Sequence, residues 1–238
     1  MTTTTTRFAA VSVVAVASAF ALTGCVLVPV GPAVTEGHAV GDDVHGLRLE
    51  TSADVDVKLG DEPSLELRGP QAALDLITVE EDDGVLVVGN RGPGHLIREV
   101  RATLVVTSFD LVEIRGAGDV DAEFSTAEAI TVSIEGSGDI EGSGVDASEV
   151  EVEIRGTGDV DLEGTADSAA YTIAGTGDID AGDLVVVDAV AEIKGAGDIT
   201  LNATGTADAR IAGTGDIRIL GGAEVSQRID GLGNIREG

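Results

Sequence analysis

The chain has 238 residues, a formal net charge of −29 and 33 glycines, while aromatic residues make up only 2% of it. This length suffices for one large domain or two small ones with a buried core. The negative charge repels nucleic acid and anionic lipid and attracts cations or basic partners, so it excludes a nucleic-acid-binding function.

The amino-terminal segment has the pattern of a lipoprotein signal peptide, predicted over residues 1–24. A polar start ending in Arg7 precedes an apolar run at 8–21, which is short for a membrane span and typical of a signal peptide. "LTGC" follows, ends at Cys25, the single cysteine, and resembles the lipobox at which bacterial lipoproteins are acylated. The alternative is an ordinary secretory signal with an unrelated cysteine. We predict lipidation of Cys25, a lipid anchor in the cell membrane or envelope outside the cytoplasm, and a fold without disulfides.

Residues 25–45 are predicted to form a tether between this anchor and the folded domain, which is expected over 46–238. Two prolines and several glycines occur in the tether without a clear period. His38 and His45 could ligate a metal there, but a solvated linker is favoured. His95 is interpreted as a surface residue beside a turn.

The first part of the domain, residues 46–110, shows the short alternating segments typical of β-strands. "LRLET", "VDVKLG" and "SLELRG" alternate apolar and polar residues, and "PQAALDL" predicts one helical turn. "ITVEEDDGVLVVG" predicts a hairpin around Asp83-Gly84, and "HLIREVRATLVVTSF" predicts another strand region. A β-rich amino-terminal section is therefore expected.

Residues 111–238 form a repeat array. A hydrophobe-x-Gly-x-Gly-Asp-hydrophobe phrase recurs seven times at intervals of 18–20 residues, with Asn234 replacing the aspartate in the last copy. A unit of this length cannot bury its apolar face alone, so the period predicts stacked rungs. The phrases begin at Gly116, Gly136, Gly156, Gly175, Gly195, Gly213 and Gly231.

The alternation within one copy assigns inward and outward residues. Ile114, Val120 and the two glycines face inward, whereas Arg115, Asp119 and Asp121 face outward. The glycines are expected where a narrow core leaves no room for side chains. We predict an all-β fold, a β-solenoid (parallel β-helix) with 18–20-residue rungs roughly 4.8 Å apart, preceded by the short-strand section. Its inward columns are Ile114, Ile134, Ile154, Ile173, Ile193, Ile211 and Ile229, and Val120, Ile140, Val160, Ile179, Ile199, Ile217 and Ile235.

An outward row supports parallel, in-register stacking. Opposite charges fall beside one another in this row and no like charges are adjacent, as cross-strand pairing favours. The row consists of Arg115, Glu135, Arg155, Ala174, Lys194, Ala212 and Asp230.

The lipobox, the β-rich section and the phrases "GAGDV", "GSGDI", "GTGDI" and "GLGNI" together resemble the bacterial "putative auto-transporter adhesin, head GIN domain" family. The resemblance covers about residues 46–238. It implies a secreted or surface-anchored β-helical domain without an established activity, and it transfers no catalytic residues. The adhesin description favours binding as the function.

Outward carboxylates form the strongest candidate site. Carboxylates one rung apart repel each other unless they are separated, protonated, hydrogen-bonded or bridged by a cation, and calcium prefers 6–8 oxygen ligands. The favoured alternative is that each aspartate caps its own Gly-Asp bend through nearby backbone N–H groups, and Asn234 fits that role. Calcium is thus a possible cofactor, and no other is expected. The candidate ligands are Asp119, Asp121, Asp139, Glu141, Asp159, Asp161, Asp178 and Asp180.

Signals for an enzyme are weak. No histidine lies near the repeats and no nucleophile or metalloprotease motif occurs, although parallel β-helices do host polysaccharide lyases and hydrolases. Tyr171 is the only tyrosine and tryptophan is absent, which leaves little for sugar stacking. We favour a membrane-anchored, surface-exposed lipoprotein with a non-catalytic structural or binding domain, whose partner is an envelope or extracellular polymer or protein. The alternatives are a cation-stabilised polymer-binding solenoid and a carbohydrate-active enzyme on a calcium-dependent β-helix.

Overall fold

The structure is a computed structural model that describes residues 31–92 and 100–238. It confirms the predicted all-β class, with 67% of the described residues in strands and 2% in helix. Within the described ranges, seventeen strands form one sheet, accompanied by one helical turn. The elements are β1 (Ala33–Ala39), β2 (Gly46–Leu49), β3 (Asp54–Leu59), β4 (Ser64–Pro70), α1 (Gln71–Leu74), β5 (Ile77–Asp82), β6 (Val85–Asn90), β7 (Arg101–Val106), β8 (Leu111–Ile114), β9 (Val120–Glu123), β10 (Thr126–Ile134), β11 (Ile140–Ile154), β12 (Val160–Ile173), β13 (Ile179–Ile193), β14 (Ile199–Ile211), β15 (Ile217–Leu220), β16 (Glu224–Ile229) and β17 (Ile235–Glu237).

From β8 onward the chain winds into the predicted parallel β-solenoid, with about six turns. Each turn contributes to two stacks of parallel strands that meet at the Gly-x-Gly-Asp corners. We call the stack that follows each corner the first face and the stack that precedes it the second face. A register irregularity in the long strands, such as that between Gly142 and Val145, separates the halves that belong to each face. The first face holds β9, β15, β17 and the first halves of β11 to β14, and the second face holds β8, β10, β16 and the second halves.

The strand register confirms the two aliphatic columns predicted from the sequence. Ile114, Ile134 and Ile154 are consecutive register partners in one column, and Val120 and Ile140 are partners in the other. These side chains are buried, and burying one aliphatic side chain contributes roughly 1.5–3 kcal/mol. Because β-branched residues pack well on a pleated surface, the columns hold successive turns in register.

The corner glycines are required by the close approach of successive turns, not by crowding in the core as the sequence analysis expected. A Cβ atom on Gly156 would collide with the carbonyl oxygen of Gly136, and one on Gly158 with that of Gly138. Gly158 also has a φ of 152°, which L side chains rarely adopt. A backbone hydrogen bond from Thr157 N to Gly136 O, 2.9 Å long, crosses the same gap. A side chain at this corner would therefore push two turns apart.

One further turn of the solenoid, which was not predicted from the sequence, precedes the repeat array. Strands β2 and β3 stack in parallel on β8 and β9, with Leu49 beside Ile114. The connecting phrase "LETSADV" corresponds in position to "IRGAGDV": it has the same apolar start and the same Asp-Val ending, and Thr51 and Ala53 stand where the glycines are. Within the described ranges no earlier Gly-x-Gly corner stacks against these two residues, so a Cβ atom is tolerated there.

The remaining strands of the amino-terminal section confirm the predicted hairpin and helical turn. Strands β5 and β6 pair in antiparallel fashion around Asp83 and Gly84, both of which have positive φ. Strand β4 pairs antiparallel with β7, which runs parallel to β3. The pair of β4 and β7 joins the first face of the solenoid through β3, whereas the hairpin joins the second face through β2.

The predicted tether does not hold for residues 33–45, because they belong to the folded domain. Strand β1 pairs with β4 over its whole length, from Ala33 opposite Pro70 to Ala39 opposite Ser64. Val40 and Val44 are buried behind it. The apolar alternation of β1 is weak, so little in the sequence indicated a strand there. Strand β1 is stabilised instead by backbone pairing with a partner distant in sequence. Cys25 and His95 lie outside the described residues.

The strand order separates the two ends of the molecule. The first face runs β1-β4-β7-β3-β9-β11-β12-β13-β14-β15-β17, and the second runs β5-β6-β2-β8-β10 and then through β11 to β14 to β16. Strand β1 therefore lies at one end, and β16 and β17 at the other. In the described part of the chain, no helix is long and apolar enough to cross a membrane.

Candidate functional site

An acidic groove lies on the first face, where the amino-terminal section meets the solenoid. Its volume is about 820 Å³, and strands β4, β7, β3, β9, β11 and β12 line it. The charged residues of this acidic groove are Asp54, Asp56, Glu66, Asp119, Asp121, Asp139, Glu141, Asp159, Asp161, Arg68 and Arg101. Carboxylates therefore dominate a concave surface, which concentrates their negative potential.

The two arginines of the groove stand side by side. Arg68 and Arg101 are register partners across the antiparallel pair of β4 and β7. Neither forms an ion pair with another residue in the described part of the chain. Like charges directly opposite each other on neighbouring strands repel each other. The two arginines form a cationic edge of the groove, beside its carboxylates.

The corner aspartates form a continuous hydrogen-bonded row, which we call the aspartate ladder. In each step, the Oδ1 atom accepts a hydrogen bond from the backbone N–H of the equivalent residue in the next turn, at 2.6–3.0 Å. The predicted capping of backbone N–H groups is thus correct in kind, but each aspartate caps the following turn, not its own bend. The ladder runs through Asp119, Asp139, Asp159, Asp178, Asp198 and Asp216 to Asn234.

The last step of the ladder shows how hydrogen-bond donors stabilise a corner carboxylate. Asp216 accepts hydrogen bonds from the backbone N–H of Asn234 at 2.8 Å and from its side-chain amide at 3.1 Å. These bonds, with a smaller contribution from Arg236, hold the pKa of Asp216 below its usual range. The backbone N–H donor recurs at every step of the ladder, whereas the side-chain amide donor occurs only at the last step.

A second acidic row runs beside the ladder and lacks such donors. Asp121, Glu141, Asp161 and Asp180 are consecutive register partners on the first face. Burial, and then the charges of Asp180 and Glu141, raise the pKa of Asp161. Only Asp180 among the four accepts a hydrogen bond, from Gly182 N at 3.0 Å, within the described residues. We call this set the free acidic row.

All eight candidate calcium ligands therefore lie where the sequence placed them, in two neighbouring rows. Within residues 31–92 and 100–238, however, no three or more His, Cys, Asp or Glu side chains are grouped as metal ligands. One oxygen of each ladder aspartate already accepts an N–H group. Calcium binding stays a prediction.

The first three residues of the outward row of alternating charges form ion pairs with one another, as predicted. Arg115 lies 3.2 Å from Glu135, whose other oxygen lies 2.9 Å from Arg155. The chain of pairs continues to Glu113, which Arg48 contacts at 2.6 Å. Burial opposes ionisation of Glu113, but hydrogen bonds from Arg48 and Arg115 outweigh it and lower its pKa. These contacts specify the register between turns.

Other residues noted in the sequence do not contribute to the groove. His45 Nδ1 lies 2.7 Å from Asp110 Oδ1, and His38 belongs to β1. Tyr171 is buried in the core, its hydroxyl has no partner among the described residues, and burial raises its pKa. Its ring is therefore unavailable for stacking on a sugar.

The amino-terminal part of the groove, which includes Asp54, Asp56 and Glu66, was not predicted from the sequence. Asp54 occupies the aspartate position of the degenerate phrase "LETSADV", so a search tolerant of Thr51 and Ala53 would have found it. The other residues reach the groove through pairings between strands far apart in sequence, for which no local signal exists.

The geometry places this protein in the class of β-solenoid proteins. Its surface carries two stacked acidic rows and the acidic groove. A family model described as "Putative auto-transporter adhesin, head GIN domain" matches residues 43–223, and the chain belongs to this family. The family description points to an extracellular or surface location.

Solved structures share this fold. A "putative adhesin" from Bacteroides fragilis NCTC 9343 is 26% identical, with a TM-score of 0.76, covering 88% of this chain and 98% of that one. A "putative lipid binding protein" from Parabacteroides distasonis ATCC 8503 is 21% identical, with a TM-score of 0.68 and coverages of 87% and 98%. A "putative adhesin" from Parabacteroides merdae ATCC 43184 is 20% identical, with a TM-score of 0.61 and coverages of 87% and 97%. A comparison with curated proteins finds no match.

Proposed function

We propose that the protein is a lipid-anchored, extracytoplasmic binding protein whose acidic groove receives a cationic segment of an envelope or extracellular polymer or protein. The observation that carries the proposal is the concave surface of carboxylates, several of which have no partner within the described residues. Clefts lined by one sign of charge raise the local concentration of oppositely charged ligands. The adhesin description of the family and of its solved members supports binding as the activity.

The position of β1 supports the anchor. Cys25 precedes Ala33, the first residue of β1, by eight residues, a segment that spans at most roughly 26–29 Å. Strand β1 lies at the end of the first face farthest from β17. A chain acylated at Cys25 would therefore direct its solenoid away from the membrane.

Binding of a polycation tests the groove. The probe is poly-L-lysine of defined length, with dextran as the uncharged comparison, and affinity is measured by calorimetry at two salt concentrations. Asp121→Asn combined with Asp161→Asn should weaken poly-L-lysine binding roughly fivefold, at about 0.5 kcal/mol per charge. The control Asp167→Asn removes an exposed carboxylate from the same strand, β12, outside the groove. Equal affinities of the two variants would contradict the groove as the site.

Membrane fractionation tests the anchor. Cys25→Ala should move the protein out of the membrane fraction, because the acylated thiol is lost. Retention of the variant in the membrane would mean that the apolar signal segment acts as an uncleaved anchor.

A carbohydrate-active enzyme is a second candidate because of one pair in the groove. Asp161 has a raised pKa and its register partner Glu141 lies on the adjacent strand, an arrangement that suits an acid and a base. Release of reducing ends from bacterial or host polysaccharides, abolished by Asp161→Asn and by Glu141→Gln, would favour this function over binding alone.

A further inference from the structure

In the last turn that the structure describes, one sheet edge is not paired with any described strand. Strand β16 pairs only with β14, and β17 only with β15, among the described residues. In the turn below, Ile211 O accepts Asp230 N at 2.8 Å and Gly213 O accepts Leu232 N at 2.9 Å. The equivalent oxygens in the last turn, those of Ile229 and Gly231, accept no such bond within the described ranges. Unpaired edge groups of this kind are a template for another strand.

Apolar side chains are exposed at the same edge. Ile229 ends one aliphatic column and is 46% exposed, whereas its register partner Ile211 is fully buried. Leu232, at the corner, is 72% exposed. The edge therefore combines unpaired backbone with apolar surface that a further layer would cover.

The sequence of β16, "EVSQRI", is complementary to itself. Its register with β14 places Glu224, Ser226 and Arg228 on the outward side. Antiparallel pairing of two copies about Ser226 would set Glu224 of each copy opposite Arg228 of the other, twice in one interface. On the inward side the same register sets Ile229 opposite Ala223. Opposite charges directly across a strand pair are favourable, which selects this register.

The positions of β1 and β17 determine how two paired copies would be oriented. Ten strand steps of about 4.8 Å separate β1 from β17 along the first face, a path of roughly 48 Å. Two copies joined at their open edges would carry their β1 strands at opposite ends. Chains anchored near β1 would then approach each other from facing surfaces.

We propose that the open edge of β16 and β17 pairs with the same edge of a second copy, antiparallel about Ser226, and so joins molecules displayed on facing membranes. The facing arrangement rests on the proposed lipid anchor, whereas the pairing itself does not. One turn is smaller than the 20–30 residues that each side of a standard interface contributes, so the dimer is weak in solution and gains strength from many copies on a surface.

Cysteine cross-linking tests the pairing directly. The full chain carries Cys25→Ala, which removes the only thiol, and is kept in a mild detergent. Ser226→Cys should form a disulfide dimer under mild oxidation, because the two residues lie directly opposite each other in the proposed register. The matched control is Ser148→Cys, an exposed serine on β11 with turns on both sides. Cross-linking of Ser226→Cys no faster than Ser148→Cys would overturn the proposal.

Charge exchange tests the register. Arg228→Glu should raise the dimer dissociation constant about fivefold by sedimentation, and adding Glu224→Arg should restore it, because the exchanged charges again face each other. Thermal unfolding of each variant confirms that it is folded. A double variant that is folded yet dimerises no better than Arg228→Glu would exclude this register.

Vesicle clustering separates the pairing from the anchor. Vesicles carrying the lipidated chain should cluster, and those carrying Arg228→Glu should not. Attachment without clustering would overturn the inference and leave the proposed function intact. Failure to attach would overturn the anchor, and the cross-linking result would still decide the pairing.

Discussion

The two acidic rows of the first face differ in what their carboxylates do, although they are only two residues apart in the repeat. Each aspartate of the ladder accepts a backbone N–H from the next turn. In the free acidic row, Asp121, Glu141 and Asp161 make no hydrogen bond or ion pair with another described residue, and the pKa of Asp161 is raised. One row therefore stabilises the solenoid, while the other leaves its charge available to a ligand.

The largest expected effect on the stability of the protein comes from a substitution that pushes apart the turns that the aspartate ladder connects. Gly156→Val should destabilise the protein by more than about 3 kcal/mol, because the new Cβ atom strikes the carbonyl oxygen of Gly136 and backbone cannot yield as a side chain can. Thr157→Val, at the exposed residue between the corner glycines, should change stability by less than about 0.5 kcal/mol. Urea unfolding measures both, and equal tolerance would contradict the close approach of the turns.

The next largest effect distinguishes the rows themselves. Asp159→Ala should cost about 1 kcal/mol, because the N–H of Asp178 loses its acceptor. Asp159→Asn should be nearly neutral, since an amide oxygen can accept the same bond. Asp161→Ala should be neutral or slightly stabilising, because it relieves repulsion from Glu141 and Asp180. Thermal unfolding at neutral pH measures the stability of each variant. A larger loss of stability in Asp161→Ala than in Asp159→Ala would reverse the assignment of the rows.

Much of this comparison could be predicted from the sequence, because a strict period fixes which residues stack. The inward columns and both acidic rows follow from spacing alone. The partner of each aspartate does not, since the choice between its own bend and the next turn depends on how successive turns are positioned relative to each other. The first turn of the solenoid was not predicted because Thr51 and Ala53 replace the glycines that identify the other turns. The groove required β3, β4 and β7, whose pairings no local pattern encodes.

The pH dependence of stability should differ in sign between one member of each row, Asp161 and Asp216. The pKa of Asp161 is raised above its ordinary value of 3.8, so the folded state holds its proton more tightly, and stability is lost as the pH rises through the folded pKa. The pKa of Asp216 is lowered, so its contribution is present above 3.8 and is lost as the pH falls through the folded pKa. Melting temperatures between pH 3 and 7 should therefore rise relative to wild type for Asp161→Asn as the pH increases, and fall for Asp216→Ala. If the melting temperatures of both variants changed with pH in the same way relative to wild type, the expected difference in sign would be contradicted.

The smallest expected effect is that of calcium. A cation binding between the rows would stabilise the fold by about 2.7 kcal/mol at a hundredfold excess over its dissociation constant. We expect no shift in melting temperature with chelator or with millimolar calcium, because the ladder carboxylates already accept N–H groups and no metal-ligand group is assembled in the described residues. If calcium does bind, its sites should lie between Asp119 and Asp180, where both rows are acidic, and Asp159→Asn with Asp161→Asn should abolish the shift. Asp216→Asn should leave such a shift unchanged, because Arg218 occupies the neighbouring position of the free acidic row in that turn. A calcium-dependent shift lost in the double variant and kept in Asp216→Asn would make the two rows a shared cation site.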